Sequence, residues 1–202
     1  MRAEDPEALR EHMLAVIAAN AFALRDTIGK SAFDERVMTA IRKVPRHDFV
    51  PIELQPYAYA NIPLPIGFEK SISQPFIVAL MTDLLDIKAD DSVLEIGTGL
   101  GYQTAILAQL ARKVFSFEII EELGQKAKQR LRRQGCSNVE LKIANGYHGW
   151  SEHAQVVVPA SFCAHSDLLA AGFGLARRLA LRCILVARCG LQGFDCVAHR
   201  LR

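Results

Sequence analysis

The sequence predicts an α/β fold built on a parallel sheet, and three observations predict it. A short apolar run, Ser92 to Ile96, carries β-branched Val93 and Ile96 and reads as a buried strand. It runs into Gly97-Thr98-Gly99-Leu100-Gly101, and apolar residues at helical spacing follow from Gln103 to Leu110. A second apolar run, Val114 to Phe117, ends in Glu118, 21 residues after Gly97. Strand, glycine turn, helix, strand and acid is the order in which a doubly wound sheet presents a nucleotide-like ligand at its carboxyl edge. Glycine lets the backbone turn tightly and lets a ligand lie against it. The helix start adds free N–H groups and a partial positive charge.

The remaining elements follow in order. Pro6 to Ile28 reads as one long helix with Leu9, Met13, Val16, Ile17 and Leu24 on its apolar face, stopped by Gly29. Asp34 caps a second helix that runs to about Val44, where Pro45 ends it. Val44 to Pro51 is bounded by prolines and reads as extended, with His47 as a surface residue. Pro51 to Gly67, rich in proline and aromatics, reads as a covering loop. In Lys70-Ser71-Ile72-Ser73-Gln74-Pro75, Ser73 or Gln74 starts a helix with Pro75 in its first position, running to about Leu85. On residue type alone Ser73 reads more readily as a helix cap than as a functional hydroxyl. After Glu118, Ile120 to Gln134 is an amphipathic helix with a basic, solvated outer face, and Gly135 stops it. Val139 to Ala144 reads as the third strand, and Asn145-Gly146 turns the chain at the same sheet edge.

Composition narrows the class. A chain of 202 residues, half of them hydrophobic and with a net charge of +2, is expected to form one domain. It divides into an N-terminal part (1–90) with helices and an active-site loop, a ligand-binding core (91–154) and an atypical C-terminal segment (155–202). So weak a charge gives no reason to expect a nucleic-acid or membrane partner. The acidic start lacks the basic and apolar regions of a signal peptide. A cytoplasmic monomer with reduced thiols is the expectation.

The glycine pattern Glu95-x-Gly97-x-Gly99-x-Gly101 departs from the dinucleotide fingerprint, because Tyr occupies position 102 and the third glycine falls at 101. It is similar to the first motif of S-adenosylmethionine (SAM) methyltransferases, with an NAD-dependent oxidoreductase as the less favoured alternative. From Val44 to about His153 the chain resembles the protein-L-isoaspartate O-methyltransferase family. The segments that carry the resemblance are VPRHDFVP, ANIPLPIG, SISQPFIVALMTDLL, VLEIGTGLGYQTAILA, VFSFEII and ANGYHGW. It implies a Rossmann-like sheet and SAM as cofactor. Its substrates would be peptides and proteins containing isoaspartyl residues, repaired by methylation. Glu95, Gly97, Thr98, Gly99 and Gly101 would form the motif around the methionine moiety. Glu118 would hold the ribose, Ile119 would lie beside the adenine, and Asn145-Gly146 would replace the family's usual Asp-Gly pair there. Ser73 matches the family's active-site serine. No metal is implied.

The chemistry suits those residue types. The nucleophile would be the substrate's own carboxylate, which ionises near pH ~4 and needs no general base at neutral pH. The protein's task is to align that anion and exclude water. One serine hydroxyl can donate a hydrogen bond to it.

The resemblance stops near Ala154. Residues 155–202 contain no Lys and no Glu, six Arg, two Asp and four of the five Cys. Their net charge is +4, against −2 for the eighteen basic and twenty acidic residues before them. Two readings stand. In one, a frameshift replaced the C-terminus, which reading the gene's alternative frame tests. In the other, a divergent tail still supplies a strand at Val156 to Val158, a helix at Ser166 to Leu179 and a strand at Ile184 to Ala187. Cys163, His165, Cys183, Cys189, Cys196 and His199 contain no C-x-x-C pair, so a zinc site is weakly supported. An inactive SAM- or peptide-binding variant with an altered C-terminus is the functional alternative.

Overall fold

The computed structural model describes residues 5–146, 157–159, 187–190 and 193–196. Helix α1 (Pro6–Ala23) starts where the Asp5 side chain accepts the Glu7 N–H, and a single further turn, α2 (Arg25–Ile28), follows. The long helix expected from Pro6 to Ile28 is therefore interrupted at Leu24. It ends at Gly29, which takes the left-handed conformation at φ 79°. Helix α3 (Glu35–Lys43) is capped by Asp34, whose carboxylate accepts the Arg36 N–H. Met13, Leu14, Ile17 and Ala21 of α1 meet Val37, Ala40 and Ile41 of α3 in the main core.

Two expectations change in the next stretch. Val44 to Pro51 is not extended: Arg46–Phe49 forms a 3-10 turn. Its cause is tertiary, because Phe49 and Arg46 are both fully buried and a tight turn brings both inward. Pro51 to Gly67 is likewise more than a loop. Ile52–Tyr57 forms a second 3-10 turn, and β1 (Leu64–Gly67) pairs antiparallel with β2 (Lys70–Ile72). Phe68 and Glu69 turn that hairpin with φ of 55° and 57°, the geometry of a two-residue hairpin turn. Leu64, Ile66 and Ile72 point inward and anchor it.

Helix α4 (Pro75–Leu84) follows at once, then β3 (Ser92–Ile96), α5 (Tyr102–Ala108), β4 (Lys113–Glu118), α6 (Glu121–Arg133) and β5 (Val139–Ile143). Strands β3, β4 and β5 are parallel and in register, with Ile96 opposite Phe117 and Glu118 opposite Ile143. The short strand β6 (Val157–Pro159) pairs parallel to the other side of β3. Sheet order is β5-β4-β3-β6, continued antiparallel by β7 (Ala187–Gly190) and β8 (Gly193–Cys196). The chain thus crosses from one side of β3 to the other, and the crevice of such a sheet lies at that switch, beyond the end of β3. The tail strand expected at Val156 to Val158 is shifted by one residue, and the one expected at Ile184 to Ala187 begins at Ala187. The helix expected at Ser166 to Leu179 lies outside the described residues, as do Cys163, His165, Cys183 and His199.

Candidate active site

The carboxyl edge of the sheet is shaped by backbone first. Gly97 and Thr98 both donate their N–H to the Phe117 carbonyl, at 2.7 and 3.0 Å, so the chain leaving β3 is held against β4. Gly97, Gly99 and Gly101 sit at φ 95°, 58° and 97°, values that L side chains rarely adopt. A Cβ at Gly99 would stand 3.2 Å from the Ile66 side chain of the hairpin, and one at Gly101 would stand 3.3 Å from Leu131 of α6. The glycine turn is therefore squeezed between hairpin and sheet at one end and closes on α6 at the other.

The acids divide by depth. Glu118 at the end of β4 accepts the Gly99 N–H at 2.7 Å through Oε2 and the Ile120 N–H at 2.9 Å through Oε1. Each oxygen keeps spare acceptor capacity. Glu95 lies deeper and is fully buried within β3. Its Oε2 accepts from Thr104 at 2.5 Å and Ser116 at 2.6 Å, and Ser116 in turn meets the Thr98 hydroxyl at 2.6 Å. Burial pushes the Glu95 carboxyl up to about 7; the Ser116 and Thr104 hydrogen bonds oppose that rise, and the nearby Glu118 charge adds to it. Glu95 thus sits beneath the turn and braces its walls from inside.

Ser73 stands between β2 and α4. Gln74, not Ser73, is the N-cap of α4, and it caps without a side-chain hydrogen bond. The acceptor for the Phe76 N–H comes instead from Asn61 Oδ1, at 2.9 Å. This frees Ser73 from the capping role, and its hydroxyl has no hydrogen-bond partner among the described residues. Ser73 lines an open cleft together with Gly97, Thr98 and Gly99, walled by Ile66, Ile72, Met81 and Gln103. Gly101 and Glu95 do not line it; they shape it from behind.

Further along the edge, Ile119 is 65% exposed beside Glu118. Asn145 is exposed, and Gly146 lies so close that a Cβ would stand 2.8 Å from Ile96 and 3.1 Å from Phe117. Glycine at 146 lets the chain pass closely over the ends of β3 and β4. His47, expected at the surface, is half-buried and shares a 2.7 Å hydrogen bond between Nδ1 and the Tyr59 hydroxyl. Sequence reasoning missed Arg46, which is fully buried and donates from Nε to Ala58 O at 2.8 Å and from Nη2 to Ser73 O at 2.7 Å. A charge between two prolines gave no sign of burial.

The donor set fits SAM on structural grounds. The Glu118 carboxylate at the turn can accept from hydroxyl groups, exposed Ile119 stands beside it, and Gly97, Thr98 and Gly99 bring backbone to the wall of the cleft. Parallel sheet, glycine turn and terminal acid together define a Rossmann-like domain of the SAM-dependent methyltransferase class. The family model of protein-L-isoaspartate(D-aspartate) O-methyltransferase (PCMT) matches residues 23–160. The chain belongs to that family.

Similarity to individual relatives agrees. The chain is 57% identical over 164 residues to protein-L-isoaspartate O-methyltransferase 1 of Polaromonas sp. (strain JS666), covering 80% of this chain and 70% of that one. It is 52% identical over 153 residues to protein-L-isoaspartate O-methyltransferase 2 of Syntrophobacter fumaroxidans, covering 75% and 62%. Matches thus span roughly two thirds of these relatives' lengths. A solved protein-L-isoaspartate O-methyltransferase superposes with a TM-score of 0.61 at 24% identity, over 74% of this chain and 47% of that one, which speaks for the fold. Among the described residues no helix is long and apolar enough to cross a membrane.

Proposed function

We propose that this chain transfers a methyl group from SAM to the free α-carboxylate of L-isoaspartyl residues in damaged peptides and proteins. The observation that carries the reading is the sharing of one cleft by Ser73 and the turn Gly97–Gly99, although they are far apart in sequence. Names of relatives at 50% identity or more support the same reaction. Gly97, Thr98, Gly99 and Gly101 form the turn around the methionine moiety, with Glu95 bracing it. Glu118 holds the ribose, while Ile119, Asn145 and Gly146 take the adenine. When bound, SAM supplies an electrophilic methyl on a sulfonium. The Ser73 hydroxyl, which has no hydrogen-bond partner among the described residues, donates one hydrogen bond to the substrate carboxylate and fixes its direction. Ile66, Ile72 and Met81 keep water from the approach. No side chain has to take a proton, because the nucleophile is already an anion.

A cytoplasmic, monomeric enzyme without nucleic-acid or membrane partners suits the weak net charge of +2. The test is transfer of radiolabelled methyl from SAM to an isoaspartyl peptide, with the matching aspartyl peptide as control. Incorporation into the isoaspartyl peptide alone supports the reading; equal or no incorporation refutes it. One observation favours a second reading, a SAM or peptide binder without turnover: the family match ends at 160, and the altered composition of the tail begins close to that point. Normal calorimetric SAM binding with no methyl transfer would select it.

A further inference from the structure

Arg46 is an expensive residue to bury. Its side chain is wholly inaccessible, and no carboxylate pairs with it among the described residues. Removing an arginine from water is costly unless the geometry returns it. The return is visible in three directions. Nε donates to the Ala58 carbonyl at 2.8 Å, Nη2 donates to the Ser73 carbonyl at 2.7 Å, and the guanidinium lies over the Tyr102 ring, 4.8 Å from its centroid. Tyr102 is the first residue of α5, directly after Gly101, and its ring also meets Phe49 at 5.7 Å. One planar side chain thus joins the Ser73 main chain to the helix that leaves the glycine turn. A lysine offers a point charge in place of this fork and stacks less well.

We propose that Arg46 is the positioning residue for Ser73: by tying the Ser73 carbonyl to Tyr102, it sets where the Ser73 hydroxyl stands relative to the methyl donor. The inference rests on the isoaspartyl reading given above. Arg46 touches neither substrate nor cofactor in this assignment; it acts through Ser73. The Asn61 hydrogen bond to the Phe76 N–H holds the other side of the same turn. The loss of Arg46 therefore leaves the turn in place but lets the hydroxyl wander.

The experiment uses the full chain and four proteins: the parent, Arg46→Lys, Ser73→Ala and the double variant. SAM affinity comes from calorimetry, isoaspartyl-peptide affinity from fluorescence anisotropy, kcat from methyl incorporation, and folding from thermal unfolding. A misplacement on the order of 1 Å costs about 100-fold in rate, so Arg46→Lys should lower kcat about 10- to 100-fold with SAM affinity unchanged. The double variant should be no slower than Ser73→Ala alone, because residues that act as a unit are not additive. A kcat for Arg46→Lys within about twofold of the parent, or a double variant slowed by the product of the two single effects, overturns the proposal. Should Arg46→Lys fail to fold, Arg46→Gln replaces it; if neither folds, Arg46 serves the fold and the proposal is overturned. If Ser73→Ala alone leaves kcat unchanged, the assignment of Ser73 fails, a result visible without touching Arg46. If the parent transfers no methyl group, the functional reading fails, and Arg46 is judged on peptide affinity, which Arg46→Lys and Ser73→Ala should weaken equally if the proposal holds and unequally if it does not.

Discussion

Replacing Glu118 by glutamine keeps the shape of the side chain and removes one acceptor oxygen and the charge. In the parent both oxygens are engaged by backbone, Oε2 with Gly99 N–H at 2.7 Å and Oε1 with Ile120 N–H at 2.9 Å. A glutamine can satisfy only one of them; the other N–H then faces an amide donor. A hydrogen bond to a charged group contributes about 1.5–3 kcal/mol, so Glu118→Gln should cost about 2 kcal/mol of stability. For a chain of this length that lowers Tm by about 4–8 °C. The same exchange removes one charged acceptor from the proposed ribose site. SAM affinity should fall by a further factor of about 10 to 100, since each ~1.4 kcal/mol is tenfold. At saturating SAM, kcat should change little, because Ser73 is held by Arg46 and Asn61, neither of which contacts Glu118. Calorimetry, thermal unfolding and methyl incorporation read the three quantities separately. A lower Tm with SAM affinity within about twofold of the parent would refute the ribose assignment and leave Glu118 only the task of fastening the turn.

Ser73→Ala should keep SAM binding and thermal stability while slowing methyl transfer, measured as kcat on an isoaspartyl peptide; lost SAM binding with normal transfer at saturation would contradict the orienting role. Gly101→Ala forces a side chain into φ 97° with its Cβ 3.3 Å from Leu131, so it should lose about 1–3 kcal/mol in urea denaturation. The Glu95 carboxyl is raised from an ordinary 4.5 to about 7 by burial. The folded state therefore holds that proton more tightly than the unfolded state, and the stability this adds is present below pH 4.5 and lost as pH rises through about 7, roughly 3 kcal/mol over the window. Glu95→Gln retains an oxygen for the Thr104 and Ser116 hydroxyls, so denaturation curves between pH 5 and 8 should show a flatter pH dependence than the parent's.

The parts legible in the sequence are those whose signals are local. The strand Ser92–Ile96, the glycine turn and Glu118 were readable because a buried strand, a positive-φ turn and an acid at a strand end each impose a residue type on their own position. Asp34 as a helix cap was readable for the same reason. The stretch from Val44 to Ile72 was not, because its conformation answers to distant partners. Arg46 turns inward to reach carbonyls 12 and 27 residues away, and that turn replaces the extended segment its prolines suggest. The β1–β2 hairpin is anchored by Leu64, Ile66 and Ile72, and Ile66 lies beside Gly99, a contact no local pattern announces. Ser73 shows the consequence. Its residue type fits a helix cap, yet Asn61 supplies the acceptor at α4 and Gln74 takes the cap position. The hydroxyl is thereby released from structural work, and only the folded chain shows it facing a cleft that the glycine turn also lines. Chemistry is therefore sought at Ser73, half-exposed in that cleft, rather than at Glu95, which is fully buried beneath the turn and does not line it.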